Sequence, residues 1–534
     1  MTATEGLDIA YTSSKTGLDP AYAHPSSDPT TGNNVLYDAD TLAEVLTNGT
    51  NETVFEQIRA RVSKLKNLEV GLGTVGYPEV SAAVVADMTT VSQITSNHHG
   101  LKNEEELDNV DYGIYGRVKA IRFDGMFMVI QDASGDEIQV MFRRQMAIEV
   151  AGRPYDGKHI DQLVDIGDII LVRGHVKRTA TGELTLVVRA MSVLAKCLLP
   201  MPDGFHGLRD IDTRQRLRHL DIMTNKDSRI LLLQRSRIVW ELRKLLHNKG
   251  FVEVETPTLQ HVYSGANATP FKTRSEALDE QLYLRIAPEF YLKRLIAGGF
   301  SEKVFEIGKC FRNEGTSTKH SPEFTMIEIY QQLADAGDMI ALLEEIVAAL
   351  AKDLGTEVPK FKTRTMASLI EERTGIKVES CDVDKLLEIL HQRGVDPKSL
   401  ESTTWGNLVA ALFKCAVEDH IDEPTHVTDL PADISPLAAS EGKRGKVFES
   451  YIQGLEIAHG CTEECNPLEL LRKLDSCGLQ GLGHTRDNEF LNAVAYGMPP
   501  TAGLGIGIDR LVMALTGAKT IKSTQTFPLL KNAD

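Results

Sequence analysis

The chain has 534 residues, 42% hydrophobic and 25% charged, with a formal net charge of −17. It is too long for one ordinary core and too apolar for a disordered chain, and it lacks the ~18–20 consecutive apolar residues that would span a bilayer. The acidic balance argues against a general nucleic-acid coat, so any nucleic-acid role must rest on a local face.

Residues 1–50 are rich in Ser, Thr, Asp, Gly and Asn without periodicity, and are expected to form a disordered acidic and polar tail. They contain no basic segment followed by an apolar one, and no arginine, so neither a secretory leader nor a transit peptide is expected. Seven cysteines without CxxC spacing point to reduced thiols and a cytoplasmic protein, and no Cys/His zinc pattern occurs.

From Glu52 the spacing of Val54, Ile58, Val62 and Leu65 predicts a helix, within a helical segment over 51–108. Residues 109–200 change to short segments split by Gly and Asp turns, beginning at Tyr112, Phe127, Glu137, Asp168 and Leu184. Five strands with a helical insert near 154–163 suit an OB-type barrel, a fold used for single-stranded nucleic acid and for other ligands alike. Pro200-Met-Pro-Asp-Gly-Phe marks a linker. Residues 207–534 mix helices and strands, which makes the whole an α+β protein. A helix is predicted over Ile230–Leu246, and a small helical insertion over about 359–430, with helical patterns at 384–392 and 406–418.

Phe311-Arg312-Asn313-Glu314 carries an Arg and a Glu two positions apart. On a strand these share a face, where the Arg could fork onto phosphate and carboxylate oxygens and the Glu could accept from a base or ribose. Alone, the pair is more simply a surface ion pair. It is joined by Gly503-Leu-Gly-Ile-Gly-Ile-Asp509-Arg510, whose glycines would let the Arg510 guanidinium lie flat on a base, and by Gly250-Phe-Val-Glu-Val-Glu-Thr-Pro257 after a long helix.

In chain order the three segments resemble motifs 1, 2 and 3 of class II aminoacyl-tRNA synthetases. Leu284-Arg-Ile-Ala-Pro-Glu-Phe-Tyr-Leu-Lys-Arg-Leu, His320-Ser-Pro-Glu-Phe-Thr-Met-Ile-Glu-Ile-Tyr and Pro499-Pro-Thr-Ala-Gly-Leu-Gly-Ile-Gly-Ile-Asp-Arg are similar to the lysyl-tRNA synthetase family, from about residue 52 onward. The resemblance implies a catalytic domain on an antiparallel sheet, an OB domain that reads the anticodon, and a homodimer built on motif 1 near Pro257. The implied partners are L-lysine, ATP, Mg2+ and tRNA-Lys. Arg312 and Arg510 would be the catalytic pair. Arg312, Glu314, Phe324, Glu449 and Arg510 would hold ATP, with Phe324 and Arg510 on either side of adenine. Glu449 and Glu456 would hold magnesium. Glu289, Tyr330 and Glu463 would hold the lysine ε-ammonium, Gly265 and Glu328 its α-amine, and Arg312 its carboxylate. Phe127, Gln139 and Glu183 would read the anticodon, with Arg122 as a further contact; by itself Phe127 reads as a barrel core residue.

Two points of chemistry stand beside the resemblance. Glu449 and Glu456 are seven apart, so on one unbroken strand they would face opposite sides; only a turn or bulge could bring them together, and Gly454 lies between them. The stretch Glu456-Ile-Ala-His459-Gly-Cys461-Thr-Glu463 departs from the family, which has Asn at the position of His459 and an aromatic ring at that of Cys461. The departure means either drift with compensating packing or a wider pocket. Other departures are a shorter loop before Glu449, Val447 in place of an Arg, and loss of an acidic residue in Lys522-Ser-Thr-Gln-Thr-Phe. The alternative functions are a lysine-activating paralogue with another substrate or acceptor, and a binding protein on an inactive synthetase fold.

Overall fold

The computed structural model describes Asp40 and residues 52–72, 77–78, 86–144, 146–202, 208–263, 265, 268–396, 400, 402–476 and 487–531. The tail expected over 1–50 lies, Asp40 apart, outside them. The chain divides into two compact units, 1–204 and 205–534.

In the first unit, α1 (Glu52–Leu72) and α2 (Val91–Asn97) precede the strands. The Thr90 hydroxyl caps α2, and Gln93 returns the bond to the Thr90 N–H. Seven strands follow: β1 (Glu106–Arg122), β2 (Phe127–Gln131), β3 (Glu137–Met141), β4 (Ala147–Val150), β5 (Arg153–Asp156), β6 (Ile169–Arg178) and β7 (Leu184–Ala195). Their order is β3-β2-β1-β6-β7-β4-β5, and a further β3–β7 pairing closes the five predicted strands into a barrel. The predicted insert near 154–163 is not a regular helix. It is the β4–β5 hairpin, which hangs from β7, followed by a kinked 3₁₀ turn over Gly157–Gln162. The barrel core, with Met128, Ile130, Ile138, Val140 and Leu186 buried, also takes in Leu68, Val91 and Ile94 of the helices.

The second unit is built on an eight-stranded sheet. Its helices α3 (Lys226–Asn248), α4 (Glu289–Ala297) and α5 (Ala336–Leu354) come before the insertion helices α6 (Met366–Thr374), α7 (Val383–Gln392) and α8 (Trp405–Ala416), and α9 (Asn488–Ala495) and α10 (Ile508–Thr516) come after. Its strands are β8 (Val252–Glu253), β9 (Lys303–Phe311), β10 (Glu323–Gln332), β11 (Lys362–Thr365), β12 (Thr425–Thr428), β13 (Val447–Ile452), β14 (Leu455–Thr462) and β15 (Thr501–Gly507), in the order β11-β12-β13-β14-β15-β10-β9-β8. All pairings are antiparallel except the outermost one at each end. Ile238, Leu242 and Leu246 of α3 and Met339, Leu343, Ile346 and Leu350 of α5 recur at helical spacing, and pack with α10 on one face of the sheet. The opposite face is left for chemistry. The insertion is not purely helical: it enters and leaves through β11 and β12, which extend the main sheet, and its helices share a core with Val447, Tyr451 and Cys461. Among the described residues no helix is long and apolar enough to cross a membrane.

Candidate active site

Strand alternation builds the site. On β10, Ile327 and Ile329 turn to the helical layer, so Phe324, Glu328 and Tyr330 turn to the other face, where they line a cavity of about 990 Å³. Gly503 of β15 pairs with Tyr330 on one side and Cys461 on the other. A Cβ at Gly503 would lie 2.5 Å from both Glu463 Oε1 and the Tyr330 ring, so only glycine fits. The glycines of this stretch thus make room mainly for the carboxylate pocket. Near Arg510 the fit is loose: a Cβ at Gly507 would meet only that side chain, at 3.8 Å.

The pocket holds Glu289, Glu328 and Glu463, with Glu328 and Glu463 buried. Sequence reasoning missed its fourth member. Lys293, one turn after Glu289 on α4, is 1% exposed and pairs with Glu289 and, at 2.5 Å, with Glu463 Oε2. Its Nζ lies 5.7 Å from the Tyr330 ring centroid and 5.8 Å from that of Phe490. Burial opposes its charge, but Glu289 and Glu463 outweigh burial and raise its pKa. The Glu–Lys i, i+4 spacing was visible in the sequence, but on an unplaced helix it reads as a solvated pair. Tyr330 donates to Glu328 Oε2 at 2.8 Å, so in this state its phenol serves the carboxylate expected at the α-amine. Burial, then the neighbouring Glu289, pushes Glu328 up to about 8. Burial also carries Glu463 up to about 7, against the pull of Lys293. Gly265, at φ +89°, brings its backbone against Glu289.

Arg312 does not lie on a strand as expected. β9 ends at Phe311, and Arg312 opens the loop to β10, with its N–H bonded to Pro322 O at 2.9 Å. Its guanidinium sits over Phe324 at 5.2 Å, and its buried Nε finds no hydrogen-bond partner among the described residues. A buried cationic donor without an acceptor costs free energy and is suited to an incoming anion. Glu314 accepts from the Thr269 N–H at 3.3 Å. Arg510 is fixed differently. The preceding Asp509, 1% exposed, accepts from the Thr325 N–H at 2.7 Å and from Arg235 at 3.0 Å, which locks the start of α10 to β10 and α3. Arg510 then reaches into the cavity, with Nη1 3.0 Å from Glu456 O and 3.2 Å from Glu456 Oε2.

Glu449 and Glu456 are reconciled by register. β13 and β14 form a hairpin whose turn has Gln453 and Gly454 at positive φ. Ser450 pairs with Ala458 and Tyr451 with Glu456, so Ile457 is an extra residue, a bulge. Ile457 and Ala458 both enter the core, and the alternation is reset so that Glu456 shares the face of His459, which pairs with Glu449. Tyr451 donates to Glu449 at 2.7 Å, and His459 Nδ1 lies 3.8 Å from it. Burial and then the Glu449 charge raise the Glu456 pKa, while His459 and Tyr451 lower that of Glu449 against burial. Among the described residues no three ligating side chains converge. Two carboxylates on one face of the hairpin, with Glu456 lining the cavity, nevertheless fit a cation such as magnesium, which completes its shell with water and phosphate. Cys461, 9% exposed, packs with the insertion core and points its thiol at Glu463 Oε1, 3.5 Å away.

On the barrel of the first unit, pairing puts Arg122, Phe127, Val129, Gln139 and Thr185 on one face, because Arg122 opposes Phe127, Val129 opposes Gln139 and Gln139 opposes Thr185. Phe127 is partly exposed and lies outside the barrel core, which takes Met128 and Ile130 of the same strand instead. Gln139 donates to Thr185 Oγ1 at 2.9 Å, and Glu183 is exposed just before β7.

Residues 210–531 match the family of tRNA synthetases class II (D, K and N), and residues 112–194 match the OB-fold nucleic acid binding domain. The chain is 40% identical to a protein named lysine–tRNA ligase from Rhizobium etli over 493 residues, covering 88% of this chain and 96% of that protein. A protein of the same name from Methanoculleus marisnigri is 41% identical over 499 residues, covering 89% and 95%.

Proposed function

The chain belongs to the lysine–tRNA ligase family of class II tRNA synthetases, and from that premise we propose that it activates L-lysine with ATP and transfers it to the 3′ end of tRNA-Lys, in the cytoplasm. The observation that carries lysine as the substrate is a charge balance. Three carboxylates, Glu289, Glu328 and Glu463, face one resident cation, Lys293, which leaves two negative charges for the two ammonium groups of a free diamino acid. An aspartate side chain would meet charge of the wrong sign, and a neutral asparagine side chain would leave a buried carboxylate unpaired.

In this reading the ε-ammonium sits between Glu289 and Glu463, and the α-ammonium beside Gly265 and Glu328. The substrate carboxylate points at Arg312 and His459. A carboxylate oxygen attacks the α-phosphorus, the bond to the pyrophosphate oxygen breaks, and Arg312 stabilises the charge that develops on the phosphoryl oxygens. Phe324 and Arg510 hold the adenine, and Glu314 contacts its edge. Magnesium, held by Glu449 and Glu456, would neutralise triphosphate charge. A ribose hydroxyl of the tRNA end then attacks the acyl carbon and AMP leaves. No side chain need become covalently modified; positioning and charge carry the rate. Phe127 stacks on an anticodon base, and Gln139 and Glu183 bond base edges.

Cys461 supports a second reading, a pocket that takes a bulkier lysine derivative, because a thiol stands where the family has a ring. Pyrophosphate exchange with lysine, ornithine and side-chain-modified lysines, followed by tRNA charging with the best of them, separates the two. Lysine should give the highest kcat/KM; a modified lysine surpassing it would favour the second.

The motif 1 segment supports a homodimer. Ile230, Leu233 and Trp240 are exposed at helical spacing along α3, and Val252 and Leu259 are exposed beyond it. Trp240→Glu should move the protein from dimer to monomer in sedimentation velocity, and an unchanged dimer would remove this face from the interface.

A further inference from the structure

The tip of the β1–β2 hairpin carries an aromatic side chain that neither the sequence reading nor the proposed mechanism uses. Phe123 is 69% exposed, and its backbone is in the left-handed region at φ +54°, followed by Asp124 at +51° and Gly125 at +83°. Asp-Gly suits such a turn, but a Phe at its entrance does not: a side chain with a Cβ is disfavoured there, and a buried ring would have gained apolar burial. The conformation is held from outside. Arg144 donates to Phe123 O and to Asp124 Oδ2, both at 2.9 Å. Gly125 is packed so closely that a Cβ would lie 3.0 Å from Ile160 and from Asp161 N. The result sets Phe123 edge-to-face with Phe127, with centroids 6.0 Å apart and an interplanar angle of 73°. The rings are therefore not stacked on each other, and the exposure of Phe123 leaves ring surface open. Arg122, opposite Phe127 in register, adds positive charge on the face that also carries Gln139.

We infer that Phe123 is a second stacking residue, and that Phe123 and Phe127 form a two-ring corner that receives unpaired bases of the anticodon loop of tRNA. The inference rests on the reading of the barrel as the anticodon-binding domain. Any base presents a flat face to a ring, and the arginines supply the counter-charge for the backbone. Strain and exposure at Phe123 are then the local expense of holding a ring ready for a ligand.

The test uses full-length protein, with Phe127→Ala as the reference for the domain reading. Phe123→Ala should raise the KM for tRNA about 5- to 150-fold, the range for loss of one base–aromatic stack. Phe123→Tyr and Phe123→Trp should keep the KM of the parent protein, and lysine-dependent pyrophosphate exchange, which uses no tRNA, should be unchanged in all three. An RNA stem-loop of the tRNA-Lys anticodon arm, labelled with 2-aminopurine at each loop position in turn, should lose quenching at one position in Phe123→Ala and at another in Phe127→Ala. A tRNA KM and quenching pattern unchanged in Phe123→Ala, with both altered in Phe127→Ala, would overturn the inference and leave the domain reading intact. No effect from either substitution would overturn both.

Discussion

Arg312→Ala should lower lysine-dependent ATP–pyrophosphate exchange by about 10²–10³-fold or more, the usual effect of removing one preorganised donor from a developing oxyanion. The loss should fall on kcat and kcat/KM together, because the interaction strengthens as charge builds on the phosphoryl group. Stability should change little. The Arg312 Nε has no partner among the described residues, and the contact forfeited with certainty is the one over the Phe324 ring. Arg312→Lys should recover only part of the activity, since a point charge cannot fork onto two oxygens. Exchange assays with a thermal melt as control decide the matter; exchange within a few-fold of the parent would remove Arg312 from the reaction and with it the proposed chemistry.

The KM for lysine should fall by roughly one order of magnitude or more between about pH 6.5 and about pH 8.5. The sign follows from the pocket. Burial pushes Glu328 up to about 8 and Glu463 up to about 7, so near neutral pH each carries a proton part of the time when the pocket is empty. An ammonium group binds the ionised form, so a proton must leave as lysine enters. Lowering the pH through this range opposes binding, and raising it favours binding. Glu328→Gln, which carries neither charge nor titration, should remove the upper part of the dependence, at the cost of weaker binding throughout. The KM across pH, measured by pyrophosphate exchange at saturating ATP, provides the check. A flat profile in the parent protein would mean that these carboxylates are ionised before lysine arrives, and the proton-coupled account would fail.

Much of the chemistry was legible in the chain itself. The five barrel strands and α3 follow from apolar periodicity and turn residues, and Arg312, Glu328, Tyr330 and Arg510 could be named because they sit in short segments that resemble the family's motifs. Phe324, Glu328 and Tyr330 also share a face by alternation alone, whatever the fold around them. What the chain could not reveal depended on which element lies beside which. The convergence of Glu449 and Glu456 needed the extra residue at Ile457, and a bulge exists only relative to the partner strand that it slips against. The expected insert helix near 154–163 became a hairpin and a 3₁₀ turn, because β4 found an edge on β7. In the sequence Gly503 reads as room for Arg510, whereas its neighbours in the fold, Glu463 and Tyr330, come from two other segments. Phe127 by itself reads as core, and only closure of the barrel, with Met128 and Ile130 turned inward, leaves it partly exposed. Lys293 shows the division most clearly. Its spacing from Glu289 fixes a pair on one helix face, but only the packing of α4 against β10 and the segment that carries Glu463 turns that pair inward and makes it the fixed cation of the pocket. Local sequence determined which groups this protein has to work with, because periodicity and turn chemistry act over a few residues. The tertiary structure decided which charges are buried together, because burial and pairing depend on segments far apart in the chain.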